Sequence, residues 1–280
     1  MKSKDIMRIK KVAGAVLCVL IVAGCAVWVW YGERWKDILT PAVAVAAYDV
    51  VHPTDDTLRV LMIGDSWAGM HHSGGCDTML QAMLAQRVTR PVKMVANGRG
   101  GGKSKEIYYL MFRETTPATD SWACTEELLK LGADYCIVSA GINDAAGNLG
   151  PDVFCQNYLL IVRTLLAWHM RPVVIEMPDV DITGLYHDKP IRHRMVDRLR
   201  AWRTGADMYD VTKYRQELRR RLQADGLMDS VVYVPCASWN ERGFRDERNL
   251  YIGDHVHLNH EGYRKLDSCL AVYISKDLED

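Results

Sequence analysis

Apolar runs and mixed polar stretches alternate along most of this chain in a way that predicts strand followed by helix. The short continuous apolar runs Leu58–Ile63, Pro91–Ala96, Tyr135–Ala140, Pro172–Met177 and Val231–Val234 have the length of buried strands. Between them, Cys76–Gln86, Ser104 to Phe112, Thr125–Lys130, Val153–His169, one or two helices within 190–224, and His260–Ile274 read as helices. Strands alternating with helices imply a parallel sheet covered on both faces, a three-layer α/β/α arrangement. In such sheets sites form where the carboxyl ends of strands meet loops. Chemistry is therefore expected just after the first, second, third and fifth strands.

The N-terminus follows another pattern. Lys2, Lys4, Arg8, Lys10 and Lys11 precede an uncharged apolar run, Val12–Trp30, and Trp28, Trp30, Tyr31 and Trp35 cluster at its far end. As a helix such a run rises about 28 Å, enough to cross a bilayer core. The basic flank places the N-terminus in the cytoplasm and the rest of the chain outside it, and the aromatic residues suit the far interface. The expected element is a transmembrane anchor. A cleaved secretory signal is one alternative, and a lipoprotein signal is another, because Val22-Ala23-Gly24-Cys25 looks like a lipobox. Against both, the apolar run continues past Cys25. All three export the domain to the periplasmic or extracellular side.

Composition refines this little. The chain has 280 residues and no net formal charge. Without its N-terminal segment roughly 235 residues remain, a size for one α/β domain. The expected organisation is 1–35 basic flank and anchor or signal, 36–56 linker, and 57–280 catalytic domain. Nothing global argues for a nucleic-acid partner. Locally, residues 192–221 carry ten basic against four acidic side chains. This is either a set of solvated helix faces or a contact for anionic glycan or lipid headgroups. Six cysteines lie in the domain, and their spacing matches no zinc pattern and selects no disulfide pairing. Cys136, inside a strand-like run, reads as a buried thiol.

The unusual residues fall where a site is expected. The first strand ends in Gly64-Asp65-Ser66-Trp67, and the second runs into the glycine-rich loop Asn97–Gly102. The third ends in Gly141-Ile142-Asn143-Asp144, and Asp254-His255-Val256-His257 follows the fifth. A serine needs a base to become a nucleophile, and a histidine serves if a carboxylate holds its ring. Asp254 and His257 lie three apart, so one turn presents both, and the fold need bring in only Ser66. Candidate donors to an oxyanion are the Ser66 backbone N–H, a glycine N–H of the second loop, and the Asn143 amide.

With these four blocks in order, the chain resembles the SGNH, or GDSL, hydrolases: GDSW at 64–67, the glycine loop, GIND at 141–144 and DHVHLNHEGY at 254–263. The resemblance spans Leu58 to Tyr263. It implies a flavodoxin-like parallel sheet and hydrolysis of lipid, small-acyl or acetylated-carbohydrate esters. It implies Ser66 as nucleophile, Asp254 and His257 as its partners, and Ser66, Gly102 and Asn143 as oxyanion donors, with Gly100 and Gly101 as alternatives to Gly102. It implies no metal or organic cofactor, and a small-molecule or glycan ester as substrate. Export and the lack of a long apolar lid segment between the motifs add the expectation of short acyl esters, chiefly acetyl, carried on carbohydrate. An O-acyltransferase using the same triad, or a glycan-binding module without turnover, are the alternative readings.

Rival motifs are weaker. Gly101-Gly102-Lys103-Ser104 resembles the end of a phosphate loop, but Asn97 stands where its first glycine belongs. Ala68 replaces the second glycine of Gly-x-Ser-x-Gly. His255 and His260 flank His257 as exposed histidines. His71 and His72 either line the pocket or start a helix. Asp65 and Asp144 are expected to bond loops, and Trp67 to wall an acyl pocket or pack in the core.

Overall fold

The apolar runs become five strands in one parallel sheet. The structure is a computed structural model that describes residues 3–113, 124–186 and 188–279; Lys2 of the basic flank lies outside them. The chain divides into two units between Thr40 and Pro41.

The first unit is a single helix, α1 (Ser3–Leu39). Within it Val12–Glu33 has a mean hydropathy of 2.7 and none of it is buried. It is long and apolar enough to cross a membrane, the property shared by anchors and signal sequences.

The second unit runs β1 (Leu58–Gly64), α2 (Ser66–Ser73), α3 (Cys76–Ala85), β2 (Val92–Gly98), α4 (Ser104–Leu110), α5 (Thr125–Lys130), β3 (Tyr135–Ser139), α6 (Ile142–Ala146) and α7 (Pro151–Ala167). It continues with β4 (Arg171–Ile175), α8 (Ile182–Leu185), α9 (Ile191–Thr204), α10 (Thr212–Ala224), β5 (Val232–Val234), α11 (Gly243–Asp246) and α12 (His260–Asp277). The sheet order is β2-β1-β3-β4-β5, all parallel. This is the flavodoxin-like order, whose switch point lies between β1 and β3. Helices α3 and α12 pack together, as do α4, α7 and α10, which gives the helical cover expected of the sheet. The strands are almost wholly buried, as continuous Val/Ile/Leu runs in parallel sheets must be.

Several boundaries differ from the sequence reading. The 190–224 segment is two helices, α9 and α10, broken where Gly205 turns left-handed at φ +69°. Strand β2 continues through Asn97 and Gly98, which periodicity had assigned to the loop. The short helices α2 and α6, six and four residues of which are polar or small, follow strands directly and carry too little periodicity to be seen in sequence. Residues 36–39 belong to α1 and Thr40 to the same unit, whereas residues 41–56 of the expected linker are part of the domain. Ala42 N–H donates to Asn157 Oδ1 at 2.7 Å, and Val45 N–H to the Tyr108 hydroxyl at 2.8 Å. Tyr48 stacks on Trp168 with ring centroids 4.5 Å apart, and its carbonyl accepts the Trp168 indole N–H at 2.8 Å. All eight cysteines are free thiols, and Cys136 is buried in β3 as expected.

Candidate active site

Strand β1 ends at Gly64 and α2 begins at Ser66, so the serine stands in the first turn of a helix at the switch point of the sheet. Two glycines let the strands close on this turn. Gly64 has φ +151°, and a Cβ there would meet the Ser139 carbonyl oxygen at 1.9 Å. A Cβ on Gly98 would meet the Asp65 carbonyl oxygen at 2.1 Å. Neither site tolerates a side chain. Asp65 caps α2, accepting from Trp67 N–H at 3.0 Å and from the Ser139 hydroxyl at 2.9 Å. Burial outweighs these bonds and pushes its carboxyl up to about 6.

The last block brings a histidine against Ser66. His257 Nε2 lies 2.8 Å from Ser66 Oγ, and its Nδ1 lies 2.6 Å from Asp254 Oδ2. An ionised carboxylate only accepts, so the ring carries its proton on Nδ1 and presents the Nε2 lone pair to the serine O–H. Asp254 also accepts the backbone N–H groups of Val256 and His257, both at 2.9 Å. Burial pushes this carboxyl up, but the bonds from the His257 ring and the two N–H groups outweigh it and hold its pKa below the ordinary value.

The rest of that block fixes the loop. Asn259 caps α12 by accepting Gly262 N–H at 3.0 Å, and its amide donates to the carbonyls of Asn249 and Tyr251. A Cβ on Gly262 would lie 2.2 Å from the Leu250 carbonyl oxygen. The Tyr263 hydroxyl donates to the Trp67 carbonyl at 2.9 Å, and the Trp67 indole N–H donates to the Val256 carbonyl at 3.0 Å. Trp67 is buried and edge-on to Trp239 at 6.0 Å, so it packs in the core and ties the serine helix to the histidine loop.

The candidate donors to an oxyanion divide. Ser66 N–H heads α2 with no hydrogen-bond partner among the described residues. The Asn143 amide donates one N–H to the Gly102 carbonyl at 3.1 Å, which leaves its second N–H. Gly102 N–H, the expected third donor, closes a turn on the Arg99 carbonyl at 2.9 Å. The N–H groups of Gly100 and Gly101 take no such bond among the described residues. Beneath the loop, Asp144 accepts from Ser104 N–H at 2.9 Å and its hydroxyl at 2.6 Å, and Asn157 donates to that hydroxyl at 3.2 Å. Asp144 is wholly buried, which pushes its carboxyl up to about 7. Asp65 and Asp144 thus bond the loops, as expected of them.

The neighbouring histidines lie elsewhere. His255 has φ +56° and stacks on Phe244, and His260 is exposed at the start of α12. His71 and His72 sit in the last turn of α2, where neither starts a helix. His71 is fully buried between Asp77, 2.8 Å from Nδ1, and Asp267, 3.0 Å from Nε2. Burial opposes its charge, but the bonds to Asp267 and Asp77 prevail and raise its pKa to about 9. It joins α2, α3 and α12 rather than lining the pocket. Beside the histidine loop a polar cleft is lined by Asp181, Thr183, Tyr209, Asp210, Phe244 and Arg245, and Asp181 N–H donates to the His255 carbonyl at 3.1 Å. No sequence signal marked this cleft, because its residues come from three separate segments. No group of metal-binding side chains occurs among the described residues.

Comparisons with known proteins agree with the fold. The model of the GDSL-like Lipase/Acylhydrolase family matches residues 62–265. A GDSL-like lipase from Bacteroides thetaiotaomicron VPI-5482 superposes with a TM-score of 0.51 at 16% identity, over 87% of this chain and 97% of its own. The acetyl xylan esterase AlAXEase superposes with a TM-score of 0.53 at 16% identity, over 78% of this chain and all of its own. At such identities the likeness is one of fold. Among curated proteins nothing matches.

Proposed function

The chain belongs to the GDSL-like lipase/acylhydrolase family, and from that premise we propose that it hydrolyses short acyl esters, chiefly acetyl, carried on carbohydrate, through an acyl-enzyme on Ser66. The observation that carries the reading is the relay from Ser66 Oγ to His257 Nε2 at 2.8 Å and from His257 Nδ1 to Asp254 at 2.6 Å. His257 takes the serine proton as Oγ attacks the acyl carbonyl carbon. Asp254 holds the ring tautomer and stabilises the imidazolium that forms. The developing oxyanion receives Ser66 N–H and the second N–H of Asn143. His257 then protonates the leaving alcohol, and a water activated by the same histidine releases the acid and restores Ser66.

Two observations support the substrate class. The cleft beside the histidine loop is lined mainly with carboxylates, hydroxyls, one arginine and two aromatic rings, a surface suited to a polyhydroxylated leaving group rather than to an acyl chain. One protein of similar fold is an acetyl xylan esterase. The test is steady-state hydrolysis of acetylated sugars against p-nitrophenyl esters of rising chain length, with Ser66→Ala beside the wild type. Acetyl esters should be preferred, and Ser66→Ala should lower kcat by about 10³-fold or more. A kcat/KM that rises steadily from acetyl to dodecanoyl contradicts the short-acyl reading. Acyl transfer to an added glycan faster than release of free acid would make the protein an acyltransferase.

A further inference from the structure

Helix α9 carries an exposed face that the esterase chemistry does not use. Ile191, Met195 and Trp202 are 70%, 65% and 75% exposed. With 3.6 residues per turn they fall, together with Arg198, within about 60° of one another. Arg194 flanks this stripe on one side, and Arg192 and Arg203 on the other; all four arginines are exposed. The buried residues of the helix, Asp197 and Ala201, lie about 130° and 90° round from the middle of the stripe. Asp197, the one acid of α9, is held by Lys189 Nζ at 2.6 Å and by the Tyr209 hydroxyl, so it does not neutralise the outer face. Other acids of the basic region are likewise engaged: Asp207 by Lys213, Asp210 by Thr212 N–H, and Glu217 by Arg220 and Arg221. Arg192, Arg194 and Arg198 make no ion pair among the described residues.

A core helix buries its apolar stripe, and a solvated helix lacks one. This helix turns apolar side chains outward and surrounds them with arginines, the pattern of a helix that lies in a membrane interface. Arginines beside a tryptophan complement anionic headgroups, with the indole at headgroup depth. The same chain carries an apolar helix of membrane-crossing length, Val12–Glu33. That helix ends at Leu39, and Ala42 is already bonded to the domain, so the covalent link is short. We propose that the outer face of α9 docks on the surface of an anionic lipid bilayer, with Ile191, Met195 and Trp202 inserted among the headgroups and Arg192, Arg194, Arg198 and Arg203 paired to lipid phosphates. This rests on reading Val12–Glu33 as a membrane anchor.

The experiment is hydrogen–deuterium exchange on the full chain reconstituted in phosphatidylcholine vesicles, with and without phosphatidylglycerol. Vesicle flotation reports separately whether the chain is anchored. Peptides covering 191–204 should exchange roughly tenfold more slowly in the anionic vesicles, and high salt should abolish the difference. Arg194→Glu with Arg198→Glu, and separately Trp202→Ser, should remove the protection while flotation and thermal midpoint stay as in the wild type. Equal exchange in the two vesicle types overturns the proposal. Protection that appears in detergent without lipid and grows with protein concentration also overturns it, and assigns the face to a second copy of the chain.

Discussion

Trp67, one residue after Ser66, donates its indole N–H to the carbonyl of Val256, one residue before His257, across 3.0 Å. Ser66 and His257 come from segments 191 residues apart. This buried hydrogen bond, with that of the Tyr263 hydroxyl to the Trp67 carbonyl, holds the two segments in register. A displacement of about 1 Å is enough to cost a reaction of this kind a large part of its rate.

Trp67→Phe keeps the ring in the core and removes that donor. It should lower kcat about tenfold with little change in KM, because the serine and histidine lose their common tie. Steady-state kinetics on a short ester, with the thermal midpoint of the same sample, check this. Unchanged kcat in a folded variant would leave Trp67 a packing residue only.

Asn143→Ala removes the proposed side-chain donor to the oxyanion. Expected is a fall in kcat of about 10²–10³-fold with KM little moved. Its amide also bonds the Gly102 carbonyl, so a purely structural role predicts instead a midpoint loss with normal kcat in the folded fraction. Measuring both on one preparation separates the two roles.

The strap before β1 should matter to stability. A chain beginning at Pro41 keeps Tyr48 stacked on Trp168 and bonded to the Met111 carbonyl, whereas one beginning at Val50 loses both. Losing a buried aromatic contact and its hydrogen bonds should lower the thermal midpoint by roughly 5 °C or more. Equal midpoints would mean that 41–49 contributes nothing to the fold.

The buried His71 should make stability pH-dependent. Its folded pKa of about 9 exceeds the ordinary 6.5. The stabilisation from its charge is therefore fully present below about pH 6.5 and lost as pH rises through about 9, an effect on the order of 3 kcal/mol. The wild-type midpoint should fall between pH 6.5 and 9.5, and the fall should vanish in His71→Gln/Asp267→Asn. A fall of the same size in the double variant would place its origin in another group.

Much of this was legible in the sequence where the determinants are local. The strands declared themselves as apolar runs, and Asp254 and His257 lie close enough in the chain for one turn to build their bond. What escaped depends on distant contacts. Gly98 reads as a loop residue until β1 brings the Asp65 carbonyl against it. His71 reads equally as a pocket or a helix-start histidine until α12 delivers Asp267 from 196 residues away. The strap at 41–49 has the proline and small residues of a linker, and only Asn157, Tyr108 and Trp168 show that it is held. Gly102, chosen by counting along the loop, has its N–H turned to Arg99, a backbone choice that residue types do not encode.

The proposed chemistry requires Ser66 to be a nucleophile activated by His257. Labelling with a fluorophosphonate, followed by intact-mass and peptide mass spectrometry, tests it most directly. One adduct per chain is expected, on Ser66, absent in Ser66→Ala and formed at least 10²-fold more slowly in His257→Asn. An adduct on another residue, or labelling of Ser66 that is indifferent to the loss of His257, would contradict the account.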